Sequence, residues 1–155
     1  DNQYFYGESS IERVDSVIDF DWGNDLITDS SFDYVSVKWS GKLKVDKTET
    51  VSFYLYADDG ARLYINHELV IDMWEDCCVE KRVFIELTAG VYNDLVIEYR
   101  ELTGSASIKL SYSSTTIMKQ VVPSSAFYYS TSISNSPFTT TVIPGAAEYP
   151  NTVAF

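Results

Sequence analysis

Apolar and polar residues alternate along most of the first 112 positions of the chain. Within Tyr34–Leu43, the residues Val35, Val37 and Trp39 fall on one face, and Val51–Ala57 alternates in the same way. The same pattern recurs in Arg62–Asn66, Leu69–Met73, Lys81–Leu87, Val91–Glu101 and Ser107–Tyr112. A period of two residues places successive side chains on opposite faces and indicates half-buried antiparallel strands.

Turn residues separate these segments, and no long window has the period of a helix. The sequence Asn66-His67-Glu68 lies between two of the segments and predicts a hairpin turn, because Asn tolerates the backbone conformations that tight turns require. A series of short strands with Gly, Asn and Asp between them predicts a β-sandwich or a β-barrel.

The composition changes after Tyr112. Residues Ser113–Thr141 are rich in Ser and Thr, which is typical of a connector or an extended segment that wraps the domain. The aromatic residues Phe127, Tyr128 and Tyr129 within it are expected to dock back onto the sheets. From Ser136 onward the sequence has the pattern of a first strand of another unit.

The length and the net charge of the chain exclude several classes of binding partner. The 155 residues correspond to one domain with a tail, and 23 acidic against 11 basic residues give a net charge of −12. This charge repels phosphate, so nucleic acids are excluded as partners, and anionic membrane surfaces are disfavoured. No apolar run reaches the length of a membrane span, so direct membrane insertion is excluded. The acidic stretch Asp15–Asp25 is interpreted mainly as a solvated face.

The two cysteines, Cys77 and Cys78, are adjacent in the sequence. Neighbouring Cα atoms lie about 3.8 Å apart across a trans peptide, whereas disulfide-bonded cysteines are commonly 4.4–6.8 Å apart. Free thiols, a vicinal disulfide and pairing with cysteines outside this chain are therefore all open. A structural zinc site is disfavoured, because His67 is the only histidine available to complete it.

Five segments carry a recognisable pattern in a fixed order: Ile11–Trp22, Val35–Gly41, Ala57–Trp74, Leu87–Arg100 and the closing aromatic segment Val122–Tyr128. Together they resemble the sugar-binding β-sandwich family named after the N-terminal fragment of anthrax protective antigen. The resemblance implies an all-β fold, an antiparallel β-sandwich of jelly-roll type, over residues 1–130. Ser136–Phe155 resembles the opening strand of a filamin-type immunoglobulin repeat, so residues 131–155 are assigned as a linker and the truncated start of that repeat.

Asp58 and Asp59 are the strongest candidates for function. Calcium needs six to eight oxygen ligands, and paired carboxylates supply the charge it prefers. In lectin members of the family the matching aspartates form a calcium clamp joined by a cis peptide. The resemblance therefore implies that Asp58 and Asp59 bind calcium, and that the ion holds sugar hydroxyls directly. The alternative is that they only shape the turn, as Asp does in Asx turns.

A second loop is expected to complete this site. The family places Asn or Asp in it, whereas this chain has Glu101 and Thr103 there, which are assigned as metal ligands. Leu102, Gly104 and Ser105 are assigned to ligand binding through the same loop.

Arg62 and Trp74 match framework positions of the family and are also assigned to ligand binding. Trp74 either offers a flat ring to a sugar or packs in the core. The alternative for the whole site is a buried salt link between Arg62 and Asp58 or Asp59 in place of calcium.

Together these residues predict a calcium-dependent carbohydrate-binding module, a lectin or adhesin, within a larger extracellular or cell-surface protein. Its partners are glycans and its cofactor is calcium, and it acts as a monomeric module rather than as an enzyme. No Gly-x-Ser-x-Gly nucleophile elbow is present, and one histidine alone makes no catalytic triad. Two rivals stay open: a structural or protein-interaction module that ignores calcium, and an accessory domain of a larger hydrolase.

Overall fold

The computed structural model describes residues 3–7 and 9–129, and strands make up most of this part of the chain. In chain order the strands are β1 (Asp19–Gly23), β2 (Val35–Leu43), β3 (Glu49–Asp58), β4 (Gly60–Ile65), β5 (Glu68–Met73), β6 (Val79–Leu87), β7 (Asn93–Glu101), β8 (Ala106–Ser113), β9 (Gln120–Val121) and β10 (Phe127–Tyr128). A single 3₁₀ turn, Ser124–Ala126, precedes β10. Within the described residues, no helix is long and apolar enough to cross a membrane.

The strands form two antiparallel sheets that pack face to face. One has the order β1-β8-β3-β6, with β9 also paired to β8, and the other has the order β10-β2-β7-β4-β5. The all-β antiparallel sandwich implied by the family resemblance is therefore confirmed, and it is one of the two architectures that the alternation of residues left open. The hairpin between β4 and β5 is confirmed too, with Asn66 and His67 at φ 50° and 68°.

The core lies between the sheets and follows the predicted alternation. Phe53 and Leu55 on β3, and Ile97 and Tyr99 on β7, are fully buried. Trp39 on β2 is the largest fully buried side chain. Burying side chains of this size contributes roughly 1.5–3 kcal/mol each. The two inner faces therefore supply most of the stability that holds the loops at the ends of the sandwich.

Strand β1 lies within the acidic stretch Asp15–Asp25, for which the sequence analysis predicted a solvated face but no strand. Its aromatic residues face inward: the Phe20 ring stacks on Trp22 at a centroid distance of 4.9 Å and on Trp39 at 5.8 Å. The Trp39 indole N–H donates to Asp15 Oδ2 at 3.0 Å. Asp19, Asp21 and Asp25 are exposed, as the sequence predicts, and the first two alternate with aromatic residues on an edge strand.

The aromatic residues near the described end of the chain dock onto the sandwich, as predicted. Phe127 is fully buried and pairs with Leu43 on β2, which puts β10 at the edge of its sheet. The Tyr128 ring meets Tyr92 edge-on at 5.0 Å. Residues 130–155 lie outside the described residues, so the domain boundary at residue 130 and the filamin-type repeat stay predictions.

The connection from β3 to β4 is the feature that positions the candidate site. β3 ends at Asp58 in one sheet and β4 begins at Gly60 in the other, so Asp59 alone links the two layers. β7 ends at Glu101 beside the first residue of β2, Val35. Two strand ends from different parts of the sequence thus bring their carboxylates to the same end of the sandwich.

Candidate functional site

Three carboxylates lie at the end of the sandwich where β3 and β7 end, close enough for the charges of Asp58 and Asp59 to act on Glu101. Asp58 and Asp59 are half-buried and joined by a cis peptide bond, whereas Glu101 is fully buried. Glu101 Oε1 has no hydrogen-bond partner within the described residues. An unpartnered buried carboxylate oxygen is costly, because it has lost its water without gaining a donor.

Two neighbours hold this cluster in place. The Tyr99 hydroxyl lies 2.5 Å from the carbonyl oxygen of Asp58 and 2.8 Å from Glu101 Oε2. The backbone N–H of Leu102 donates to Asp59 Oδ2 at 2.7 Å. Tyr99 was not among the residues predicted for the site, because alternation marks it as a core residue and says nothing about where its hydroxyl ends.

Burial and mutual repulsion make the cluster electrostatically unfavourable without a cation. Burial raises the pKa of Glu101 to about 7, and the charges of Asp59 and Asp58 add to this rise. Burial and the neighbouring Asp59 also raise the pKa of Asp58. No Lys, Arg or His among the described residues forms an ion pair with any of the three.

The chemistry of these donors suits a hard divalent cation, but their spacing is wider than one ion requires. Among the described residues, the ligand atoms that lie within 4.8 Å of one another are those of Asp58, Cys77 and Cys78, and neither Asp59 nor Glu101 belongs to such a group. Carboxylate oxygens at a site without positive side chains are the ligands that calcium takes in proteins, and the free oxygen of Glu101 is available for one bond. Longer than the Asn or Asp of related lectins, Glu101 nevertheless ends beside the two aspartates, because its side chain points inward from the end of β7.

In the second loop, Leu102 makes a hydrogen bond with an aspartate of the site. Leu102 contacts Asp59 through its N–H, and its carbonyl accepts from the Tyr34 N–H at 3.0 Å. Thr103, Gly104 and Ser105 are exposed. The Gly104 N–H donates to Asp33 Oδ1 at 3.1 Å, so Asp33, a residue that sequence analysis did not single out, fixes the loop.

Arg62 does not pair with the aspartates of the site, so the alternative of a salt link in place of calcium is wrong. Its Nε lies 3.3 Å from Asp72 Oδ1, and one terminal nitrogen lies 4.0 Å from Glu98 Oε2. Arg62 and Asp72 are cross-strand partners of β4 and β5, as are Arg62 and Glu98 of β4 and β7. Sheet register therefore supplies acidic partners closer to Arg62 than the end of β3 does.

Trp74 does not present an open ring to solvent, so its expected role as a sugar-stacking platform is not supported by its position. The residue is 9% exposed. The guanidinium carbons of Arg62 and Arg100 lie 4.6 Å and 4.9 Å from its ring centroid, and the Phe5 ring lies at 6.1 Å. The ring is buried, as the core alternative required, but it is covered by two guanidinium groups rather than by the core cluster between the sheets.

Gly60 follows the aspartates because no side chain fits there. A Cβ at this position would lie 2.2 Å from the backbone oxygen of Trp74 and 3.0 Å from Arg100 Nε. The close approach of the two chain segments thus depends on glycine.

We expect Gly60→Ala to lower the free energy of unfolding by roughly 1–3 kcal/mol, because overpacking forces backbone to move. Urea unfolding of both proteins, followed by tryptophan fluorescence, measures this difference. An unchanged midpoint would show that the Trp74 segment adapts at no cost.

Cys77 and Cys78 form a vicinal disulfide, which selects one of the three arrangements left open by the sequence. Both sulfur atoms lie 3.2 Å from Asp58 Oδ1. Disulfide sulfurs carry no hydrogen, so these contacts are not hydrogen bonds. For the same reason Asp58 and the two cysteines offer no thiolate metal site.

A separate cavity of about 200 Å³ lies between the N-terminal segment and β2. It contains none of the residues predicted for the site. Its lining combines Phe5, Tyr6, Gly7, Ser9, Ser10, Ile11, Arg13, Trp22, Ile27, Thr28, Ser36, Val37 and Lys38.

Known proteins resemble this chain in both sequence and fold. It is 37% identical over 129 residues to the anti-sigma-I factor RsgI3 of Acetivibrio thermocellus, an alignment that covers 82% of this chain and 20% of that protein. A solved anti-sigma factor domain-containing protein from Clostridium clariflavum has a TM-score of 0.79 and 31% identity, covering 92% of this chain and 48% of that one. The chain thus spans about a fifth and about half of these two relatives.

A more distant structure shares the fold. The PA14 sugar-binding domain from an RTX adhesin has a TM-score of 0.52 and 21% identity, and covers 61% of this chain and 54% of that one. The sequence profile of the PA14 domain matches residues 1–126 of this chain. The match includes both strand ends that carry the three carboxylates and the loop that follows β7. This chain therefore belongs to the PA14 domain family.

Proposed function

We propose that this domain binds carbohydrate through calcium, as a module of a longer protein outside the cell or at its surface. One observation carries the proposal: Asp58, Asp59 and the fully buried Glu101 lie at the same end of the sandwich, none of them forms an ion pair among the described residues, and Glu101 Oε1 has no hydrogen-bond partner there. Glycans are the partners we propose, and we propose no enzymatic activity.

In this proposal Asp58, Asp59 and Glu101 hold the ion. When bound, calcium supplies a positive centre that accepts oxygen ligands from neighbouring sugar hydroxyls. Tyr99 fixes the main chain at Asp58, and the Leu102 N–H orients the Asp59 carboxylate. The exposed residues Thr103 to Ser105, in the loop that follows β7, would contact the sugar and select among glycans.

The relatives support the two parts of the proposal differently. A domain named as sugar-binding shares the fold, which supports carbohydrate as the ligand class. The more similar sequences are named as anti-sigma factors. We therefore propose that the longer protein is a regulatory protein, rather than the adhesin expected from the sequence. This chain would be its glycan-binding domain.

Calcium should raise the melting temperature of the protein relative to EDTA. At about a hundredfold excess over Kd, binding stabilises the folded state by roughly 2.7 kcal/mol. For a domain of this size that corresponds to a rise of roughly 5–10 °C. Differential scanning fluorimetry with calcium, magnesium or EDTA measures it, and a glycan screen in calcium and in EDTA follows.

Equal melting temperatures in calcium and EDTA would contradict the proposal. They would leave the structural or protein-interaction module as the better account. A calcium shift without any glycan signal would retain the ion and reject the carbohydrate ligand.

The metal-free protein should become less stable as the pH rises from 5.5 to 8. The folded-state pKa of Glu101, about 7, lies above the 4.5 of a free side chain, so the folded state binds the extra proton. The stability this proton confers is present at low pH and is lost as the pH rises through 7, by about 2 kcal/mol. Urea unfolding in EDTA at several pH values measures it. Saturating calcium should flatten the slope, because the ion replaces the proton.

A further inference from the structure

We propose that the Cys77–Cys78 disulfide is a redox modification site that sets the calcium affinity of the domain, with tighter binding in the oxidised form. The inference rests on the calcium site proposed above. It concerns a different part of the chain, the loop between β5 and β6. An experiment can therefore reject the redox effect without rejecting the calcium site.

The two sulfur atoms are held against a carboxylate of the site. Each lies 3.2 Å from Asp58 Oδ1. The Cys78 N–H donates to the carbonyl oxygen of Ala57 at 3.0 Å, which fixes the cysteine pair beside the last residues of β3. Lys81 braces the loop from the other side, through the carbonyl of Asp72 and the carboxylate of Asp76.

The disulfide is open to a reductant. Both cysteines are exposed, as are Glu75 and Asp76 before them. A thiolate of a small dithiol can therefore reach either sulfur from solvent, which is the access that thiol–disulfide exchange requires.

Reduction proceeds in two balanced exchanges. A thiolate of the dithiol attacks one cysteine sulfur, a mixed disulfide forms, and the other cysteine leaves as a thiolate. The second thiolate of the dithiol then attacks its own sulfur in the mixed disulfide and releases the remaining cysteine. The protein gains two electrons and two protons, and the dithiol loses them and becomes a cyclic disulfide.

Reduction changes what Asp58 Oδ1 faces. In the disulfide neither sulfur has a hydrogen, so the lone pairs of this oxygen stay available to a cation. In the dithiol form each S–H can donate to the same oxygen and compete with the ion for it. We expect a loss of calcium affinity of roughly tenfold, in line with one added hydrogen bond to a charged acceptor.

Linkage gives a second consequence, which is measured in a different experiment. If reduction weakens calcium binding tenfold, calcium must make the disulfide tenfold harder to reduce. For a two-electron couple this corresponds to about 30 mV in reduction potential. Calcium binding and disulfide reduction can therefore each be measured, and the two factors must agree.

The test is isothermal calorimetry of calcium binding to the full chain, oxidised and after treatment with dithiothreitol. Alkylation and mass spectrometry verify the thiol state. The double variant Cys77→Ser/Cys78→Ser keeps hydrogen-bond donors without the bridge, and Cys77→Ala/Cys78→Ala removes both. We expect the Ser pair to bind calcium as weakly as the reduced protein, and the Ala pair to bind more tightly than the Ser pair. Neither variant should respond to dithiothreitol.

Each outcome decides the matter. Equal Kd values for the oxidised and reduced protein would overturn the inference and leave the calcium site intact. An oxidised protein that binds no calcium would overturn both. A titration in thiol buffers that gives the same reduction midpoint with and without calcium would also reject the coupling.

Discussion

Asp59→Asn is expected to abolish the calcium-induced rise in melting temperature while the metal-free protein stays folded. The substitution removes one negative charge from the site but keeps an oxygen that can accept from the Leu102 N–H. Calcium favours charged oxygens, and three carboxylates supply most of the charge that this site offers. A shift of roughly 5–10 °C in the parent protein should fall to about zero at the same calcium concentration.

The measurement is thermal melting in calcium and in EDTA, followed by glycan binding in calcium. Asp46→Asn is the matched control, because it removes the same charge from an exposed residue before the opposite end of β3. It should retain the full shift. If Asp59→Asn still bound glycan in a calcium-dependent manner, the assignment of the metal to this aspartate pair would be wrong.

Glu101→Gln is expected to have two effects of opposite sign. The metal-free variant should be more stable than the parent at pH 8, by about 2 kcal/mol, because a neutral amide avoids the burial of a charge. The amide can also donate toward Asp59, whereas the carboxylate only repels it. Calcium should no longer stabilise the variant, since the buried ligand has lost its charge.

Urea unfolding in EDTA and in calcium at pH 8 resolves both effects. Glu86→Gln, on an exposed position of β6, is the control and should alter neither value appreciably. A variant less stable than the parent in EDTA would contradict the argument that Glu101 is strained by its charge. A retained calcium response would assign the metal to other ligands.

The fold was largely predictable because alternation depends on local sequence alone. The seven segments with a period of two all became strands, and Phe53, Ile97 and Tyr99 face the core as their spacing required. β1 was not predicted because Asp19 and Asp21 flank the inward-facing Phe20, so the segment reads as polar in the sequence. The Phe20 ring packs against Trp39, which is distant in sequence, so no local pattern reveals that Phe20 faces inward.

The site was predictable only in part. The motif placed Asp58 and Asp59, and the family resemblance pointed to Glu101, yet only tertiary structure shows that Glu101 is buried with a free oxygen. Tyr99 is the clearest omission, because its role depends on a backbone carbonyl that is 41 residues away. Arg62 forms ion pairs with its cross-strand neighbours, because the register of the sheet decides which charged side chains lie opposite each other.

The one-residue link at Asp59 has a consequence for how the domain opens. Its neighbours belong to different layers: Asp58 pairs with Ser107 in one sheet, and Gly60 pairs with Arg100 in the other. Anything that holds Asp59 therefore restrains local opening of both layers at once, whereas an interaction within one sheet restrains only that sheet. Amide hydrogen exchange should reveal this as protection that spreads along β3 and β4 together, so that the two sheets behave as a single cooperative unit.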